Sequence, residues 1–170
     1  MINGIQYLRK MYPGRDEKDY QPSGLDLRVA KVFVLSPEFG KDLGIYNGKK
    51  ILPDQMEYEP IEICDDGKNI KGWSLKPGKA YIFQVQDPIK IGDKNAQFYL
   101  PRSTLLRAGV NVYTALGDLG FNGHLSFLVV NHNYNNFFIE QGERFAQLVD
   151  FEVKGSEEGY QGDYQEDCDI

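Results

Sequence analysis

The sequence has little of what metal and redox sites are usually built from: two cysteines and two histidines in 170 residues. Cys64 follows an apolar stretch and Cys168 sits near the C-terminus, so no zinc-type ligand spacing exists. Two free thiols in a reducing compartment are the simpler reading than a disulfide. No apolar run reaches membrane-spanning length, and residues 1–20 are too charged and polar for a secretory signal. The expectation is a soluble, cytoplasmic protein with no membrane partner. A basic face is missing too. Six of the 25 acidic residues lie between Gly155 and Ile170, a stretch without Lys or Arg, and the remaining 19 acids balance 19 Lys and Arg. Nothing is built to attract nucleic acid.

The chain does hold enough apolar residues for one domain with a real core. "INGIQYLRKMY" spaces Ile2, Ile5, Leu8 and Met11 for one short amphipathic helix, ended by Pro13-Gly14. The period then changes to two. "LDLRVAKVFVL", "PIEIC", "KAYIFQVQ", "AQFYLP", "GVNVYTA", "GHLSFLVVN", "NFFIE" and "FAQLVDFEV" are rich in β-branched and aromatic residues. Turn dipeptides separate them: Asn47-Gly48, Pro53-Asp54, Asp66-Gly67, Pro77-Gly78, Asn122-Gly123 and Gln141-Gly142. Many short strands at regular spacing predict an all-β sandwich, jelly roll or barrel. The acidic stretch 155–170 has too few aliphatics to pack, so it is expected to be a mobile tail on a β domain spanning 1–154.

Four segments break the strand pattern by placing charged or amide residues beside glycine or at strand ends: "QPSGLDLR", "PRSTLLRAG", "GDLGFNG" and "EQGERFAQLV". In "LPRSTLLRAG" (100–109), which reads as a buried strand, Arg102, Ser103, Thr104 and Arg107 are out of place unless an anion sits nearby. Asp118, between Gly117 and "LGFNG", is either a turn former that bonds its own backbone or a carboxylate that orients and deprotonates a water. Asp26, flanked by Leu25 and Leu27, needs a partner if buried, either a structural ion pair or a site network. Gln147 is a satisfied core amide or a ligand contact. His124 and His132 read as surface or strand-edge residues, Trp73 as hairpin packing, and "HNYNNFF" as a loop.

Taken in order, the four segments resemble the motifs of the dUTPase and dCTP deaminase superfamily, over about residues 20–165. The N-terminal helix, "RSTLLR" and "YQGDYQ" resemble its deaminase-like branch, archaeal dUTPases especially. The resemblance implies a distorted β jelly roll, or β-barrel, with a short N-terminal helix. It also implies a homotrimer with sites between subunits. Deaminases of this branch carry a glutamate five residues beyond the third motif's last glycine, Gly123; here that position is Leu128, which cannot shuttle protons. The resemblance thus implies a dUTP pyrophosphatase, with dCTP deaminase (alone or bifunctional) and a non-catalytic nucleotide sensor as alternatives.

The implied roles follow residue by residue. Asp118 activates the water that attacks the α-phosphorus. A 112–119 hairpin, with Thr114, reads the uracil edge, and Phe121 packs under the deoxyribose. Arg102, Ser103 and Thr104 of a neighbouring subunit hold phosphate oxygens with Gln147. Arg107 braces the site or contacts phosphate, and Asp26 supports it. Tyr160, Tyr164 and Gln165 close over the nucleotide, although Asp163 stands where a basic residue is expected. Magnesium is implied as a cofactor held by the triphosphate and waters, with no direct protein ligand.

Overall fold

A computed structural model of the chain describes residues 1–36, 42–155 and 158–162. Tyr164, Gln165 and Cys168 lie outside the described residues. In chain order the elements are helix α1 (Ile5–Met11) and strands β1 (Tyr20–Gln21), β2 (Gly24–Leu35), β3 (Gly44–Tyr46), β4 (Lys49–Ile51) and β5 (Gln55–Glu57). Strands β6 (Ile61–Asp65), β7 (Lys68–Leu75), β8 (Ala80–Val85), β9 (Ile89–Lys90) and β10 (Asn95–Pro101) follow. Then come helix α2 (Ser103–Arg107) and strands β11 (Val110–Tyr113), β12 (Asn122–Gly123), β13 (Ser126–Asn131), β14 (Phe137–Glu140) and β15 (Arg144–Glu152).

The main sheet runs β10-β15-β2-β8-β13-β11. Strand β2 makes its bend possible. Its first half pairs with β15 and its second half with β8, with register shifts between Val29 and Lys31 and between Arg144 and Ala146. Such bulges turn a strand and increase its twist. Beyond β11 the chain returns to β10, where Gln97 and Gly117 exchange both backbone hydrogen bonds at 2.9 Å. The Thr114 hydroxyl also donates to the Tyr99 carbonyl at 2.9 Å. The sheet therefore nearly closes on itself, an all-β barrel of the kind the strand pattern predicts and the distorted jelly roll that the resemblance implies. A second sheet, β14-β7-β6, lies beside it.

The core is Leu25, Leu27, Val29, Phe83, Val85, Val129, Phe145 and Leu148, all fully buried. Helix α1 presses Leu8 onto this core. Asp150 in β15 ties the N-terminus down, accepting from Asn3 Nδ2 and Asn95 Nδ2 at 2.6 Å each and from Gln97 Nε2 at 3.0 Å. A buried carboxylate satisfied this fully costs little and helps fix the register.

Three expectations are corrected. Residues 103–107 form a helical turn rather than a buried strand. The turn points Leu105 inward and leaves Ser103, Thr104 and Arg107 exposed, which removes the conflict between apolar and cationic residues. Gly109, at φ 72°, ends it. Asn122-Gly123 is not a turn: it is β12, paired with β9. Residues 112–119 do not form a hairpin of their own, because β11 pairs with β13 and 114–117 peel away toward β10.

Candidate active site

Two groups of polar residues stand apart in the single chain. The first surrounds Asp26, only 2% exposed. Leu25 and Leu27 flank it on β2, and Gly24 lets the Gln147 side chain cross close above: a Cβ at Gly24 would lie 2.8 Å from Gln147 Cγ. The Asp26 carboxylate faces Arg144 Nη1 at 3.3 Å, Gln147 Nε2 at 3.4 Å and Arg102 Nε at 3.7 Å. Gln21 Nε2 also reaches it at 3.4 Å. These are long, shared contacts rather than one tight pair. Burial pushes the Asp26 carboxyl upward from its usual range, and the Arg102 and Arg144 guanidinia pull against that. Arg102 is half-buried and also faces Glu143 Oε1 at 3.7 Å.

Ser103, Thr104 and Arg107 follow Arg102 at the surface. The structure thus brings Asp26, Arg102 and Gln147 together, from β2, the end of β10 and β15. It adds Arg144, which the sequence reading passed over although it lies inside the quoted fourth segment. Phe98 and Leu100 on the outer face of β10 are about half exposed beside this cluster.

The second group lines a pocket of about 550 Å³. It is lined by the 115–118 segment, Phe121, His124, Leu125, Ser126 and Tyr160, together with Ile82 and Gln55. Asp118 is exposed on this wall. Its placement depends on Gly117, whose missing side chain lets the backbone pass against Tyr99 and Ile91. Phe121 meets Tyr160 edge-on, with ring centroids 5.7 Å apart, and the Tyr160 amide donates to the Leu119 carbonyl at 2.6 Å. Thr114 does not line the pocket; its hydroxyl is engaged at Tyr99. His124, read as a surface or strand-edge residue, directly follows β12, is half-buried and forms part of the wall. Only the strand alternation around it could have signalled this. No residue of the Asp26 cluster lines this pocket.

A larger groove, of about 710 Å³, runs between residues 11–16, 86–90 and Gly142. Its arginines are already engaged, Arg15 with Asp87 at 2.7 Å and Arg28 with Asp19 at 2.7 Å, so the Asp118 pocket remains the stronger candidate. Among the described residues, no three His, Cys, Asp or Glu side chains converge as a metal site. Among the same residues, no helix is long and apolar enough to cross a membrane.

The dCTP deaminase-like family model matches residues 7–153. A probable deoxyuridine 5'-triphosphate nucleotidohydrolase of Methanothermobacter thermautotrophicus is 42% identical, covering 98% of this chain and 100% of its own. One from Methanopyrus kandleri is 38% identical, covering 96% and 99%. Among solved structures, the 2'-deoxycytidine 5'-triphosphate deaminase of Agrobacterium tumefaciens shares the fold at TM-score 0.64 and 18% identity, over 88% of this chain and 47% of that one. The chain belongs to the dCTP deaminase-like family.

Proposed function

We propose that this protein hydrolyses dUTP to dUMP and pyrophosphate. The carrying observation is the Asp118 carboxylate on the wall of a largely apolar pocket, next to Phe121, in a chain whose position 128 is leucine. The full-length relatives named deoxyuridine triphosphate nucleotidohydrolase support the reading. Asp118 orients a water and takes its proton as the water oxygen bonds the α-phosphorus. The bond from that phosphorus to the bridging oxygen breaks, and pyrophosphate leaves. Phe121 supplies an apolar face for the deoxyribose. Leu128, between Tyr113 and Ile82 in the sheet, offers no proton shuttle, which argues against deamination.

Arg102, Ser103, Thr104 and Gln147, braced by Arg107, Asp26 and Arg144, hold the triphosphate of a neighbouring subunit's site. That neighbour arrangement accounts for the separation of the two groups within one chain, and for the exposed Phe98 and Leu100 beside the cluster. A homotrimer working in the cytoplasm is the proposed assembly. Residues 155–170, beyond a β domain of 1–154, are proposed as the closing segment, with Tyr160, which packs on Phe121, and with Tyr164 and Gln165 as nucleotide contacts. Magnesium is read as brought by the phosphates rather than held by side chains; when bound, it would spread the triphosphate charge.

The test is incubation with magnesium and either dUTP or dCTP, with products separated by chromatography. Release of dUMP and pyrophosphate from dUTP, with dCTP untouched, is expected. Ammonia released from dCTP would overturn the reading. Asp118→Asn is expected to abolish hydrolysis while nucleotide binding survives.

A further inference from the structure

The Asp118–Phe121 stretch is a closed turn: the Phe121 amide donates to the Asp118 carbonyl at 3.2 Å. A turn bonded within itself moves as a unit on its two feet. One foot is Gly117, which exchanges both backbone hydrogen bonds with Gln97 of β10. The other stands on β9 and the residue after it: the Ile91 amide donates to the Phe121 carbonyl at 2.8 Å, and Asn122 pairs with Lys90. Strands β9 and β10 belong to different sheets, so no strand ladder spaces them.

The Tyr12 side chain spans the gap. This residue ends α1 and is buried; its hydroxyl donates to the Lys90 carbonyl at 3.1 Å and accepts from Gln97 Nε2 at 2.6 Å. The donor roles are fixed. A carbonyl only accepts, so the phenol proton goes to Lys90. Gln97 Nε2 also donates to Asp150 at 3.0 Å, and Gln97 Oε1 accepts from Tyr99 Oη at 3.0 Å, so this amide fits only one way round. Burial pushes the Tyr12 phenol up to about 12, which keeps it protonated and donating. Its backbone is anchored too: the Tyr12 amide donates to the carbonyl of the fully buried Leu8 at 2.9 Å.

Resting on the pyrophosphatase reading, we infer that Tyr12 is a positioning residue for the hydrolysis: its hydroxyl ties β9 to β10 and so sets where the turn holds Asp118. The ring alone would fill the same space, so what the hydroxyl adds is geometry, as a fully satisfied buried polar network does. A misplacement of about 1 Å between reacting groups costs on the order of 100-fold in rate, so a shift of about 0.25–0.5 Å costs kcat about threefold to tenfold. The apolar face of Phe121 tolerates such a shift, so KM should stay within about twofold.

The test compares Tyr12→Phe with Tyr81→Phe. Each removes only a buried hydroxyl; that of Tyr81 accepts from the Lys76 amide at 2.9 Å, and Tyr81 does not line the Asp118 pocket. Tm, kcat and KM for dUTP are measured, together with hydrogen exchange at the Gly117 and Ile91 amides. Tyr12→Phe is expected to lose kcat by the factor above with KM nearly unchanged, and to exchange faster at both amides than Tyr81→Phe. Tyr81→Phe should lower Tm and keep wild-type kcat. Gln97→Met cuts the tie from the β10 side, and adding Tyr12→Phe to it should cost no further kcat.

Wild-type kcat in Tyr12→Phe would overturn the inference. So would an equal kcat loss in Tyr81→Phe, unchanged exchange at Gly117 and Ile91, or losses that multiply in the double variant. Wild-type turnover of dUTP, run alongside, separates the two claims. No turnover in wild type sinks the pyrophosphatase reading, and the exchange rates still decide whether Tyr12 holds the turn.

Discussion

Gly117→Ala tests whether close packing behind Asp118 holds the carboxylate in place. A Cβ at Gly117 would overlap Tyr99 Oη and lie 2.7 Å from Ile91 Cδ1, both on buried residues. Tyr99 cannot swing aside freely. Its hydroxyl donates to Gln97 Oε1 at 3.0 Å, and Gln97 Nε2 in turn donates to Tyr12 Oη at 2.6 Å. Overpacking costs about 1–3 kcal/mol, and a buried donor left without its partner about 1–3 kcal/mol more. For a chain of this length that lowers Tm by about 5–15 °C. The Gln97–Gly117 pairing would loosen, Asp118 would shift with it, and kcat would fall while the Asp26 cluster keeps its geometry. The assay is thermal unfolding together with steady-state kinetics, with Gly4→Ala as control. The Gly4 Cβ would meet only the Pro22 carbonyl, at 3.6 Å, and should cost less than about 1 kcal/mol. A Gly117→Ala protein with wild-type Tm and kcat would refute the reasoning.

The remaining predictions concern charge and assembly. Burial raises the Asp26 carboxyl above its unfolded value, so its contribution to stability is present at low pH and is lost as pH rises through the folded value. Asp26→Asn cannot ionise, so its stability relative to wild type should improve as pH rises above about 4, on top of a constant offset; a relative stability that falls with rising pH contradicts this. Arg102→Ala should raise KM for dUTP and leave Arg144, at 3.3 Å, as the guanidinium facing Asp26; unchanged KM would remove Arg102 from the phosphate site. Mixing inactive Asp118→Asn and Ser103→Ala chains under subunit exchange should restore roughly a quarter of the sites if each is shared between subunits. No recovery would place the whole site within one chain.

Most of the strand order was legible because it rests on local chemistry. Asn47-Gly48 and Asp66-Gly67 adopt positive φ at both residues, the conformation that tight hairpins demand, and they separate β3 from β4 and β6 from β7. The short helix was legible from Ile5, Leu8 and Met11. Residues 103–107 misled because a run of five is too short to show a period, so burial of Leu105 alone could not distinguish a turn of helix from a strand. Arg144 was overlooked because its role depends on a register shift beside it, which no local pattern encodes. His124 and Ser126 were hidden for a similar reason: only the alternation across β13 and the fold of the 115–121 segment give them a common pocket.

By itself the sequence determined the chemical repertoire: the order of the four segments, a carboxylate at 118, a phenylalanine at 121 and a leucine at 128. Those are properties of residue identity and spacing. The tertiary structure alone decided which groups meet. It set Asp26 among Arg102, Arg144 and Gln147 by pairing β2 with β15 and β15 with β10. It put Asp118 beside Phe121 and Tyr160 by closing β10 against Gly117, and it kept the two groups apart within one chain. Strand pairing joins residues more than a hundred positions apart, and its register follows from bulges and packing of the whole barrel rather than from any short stretch.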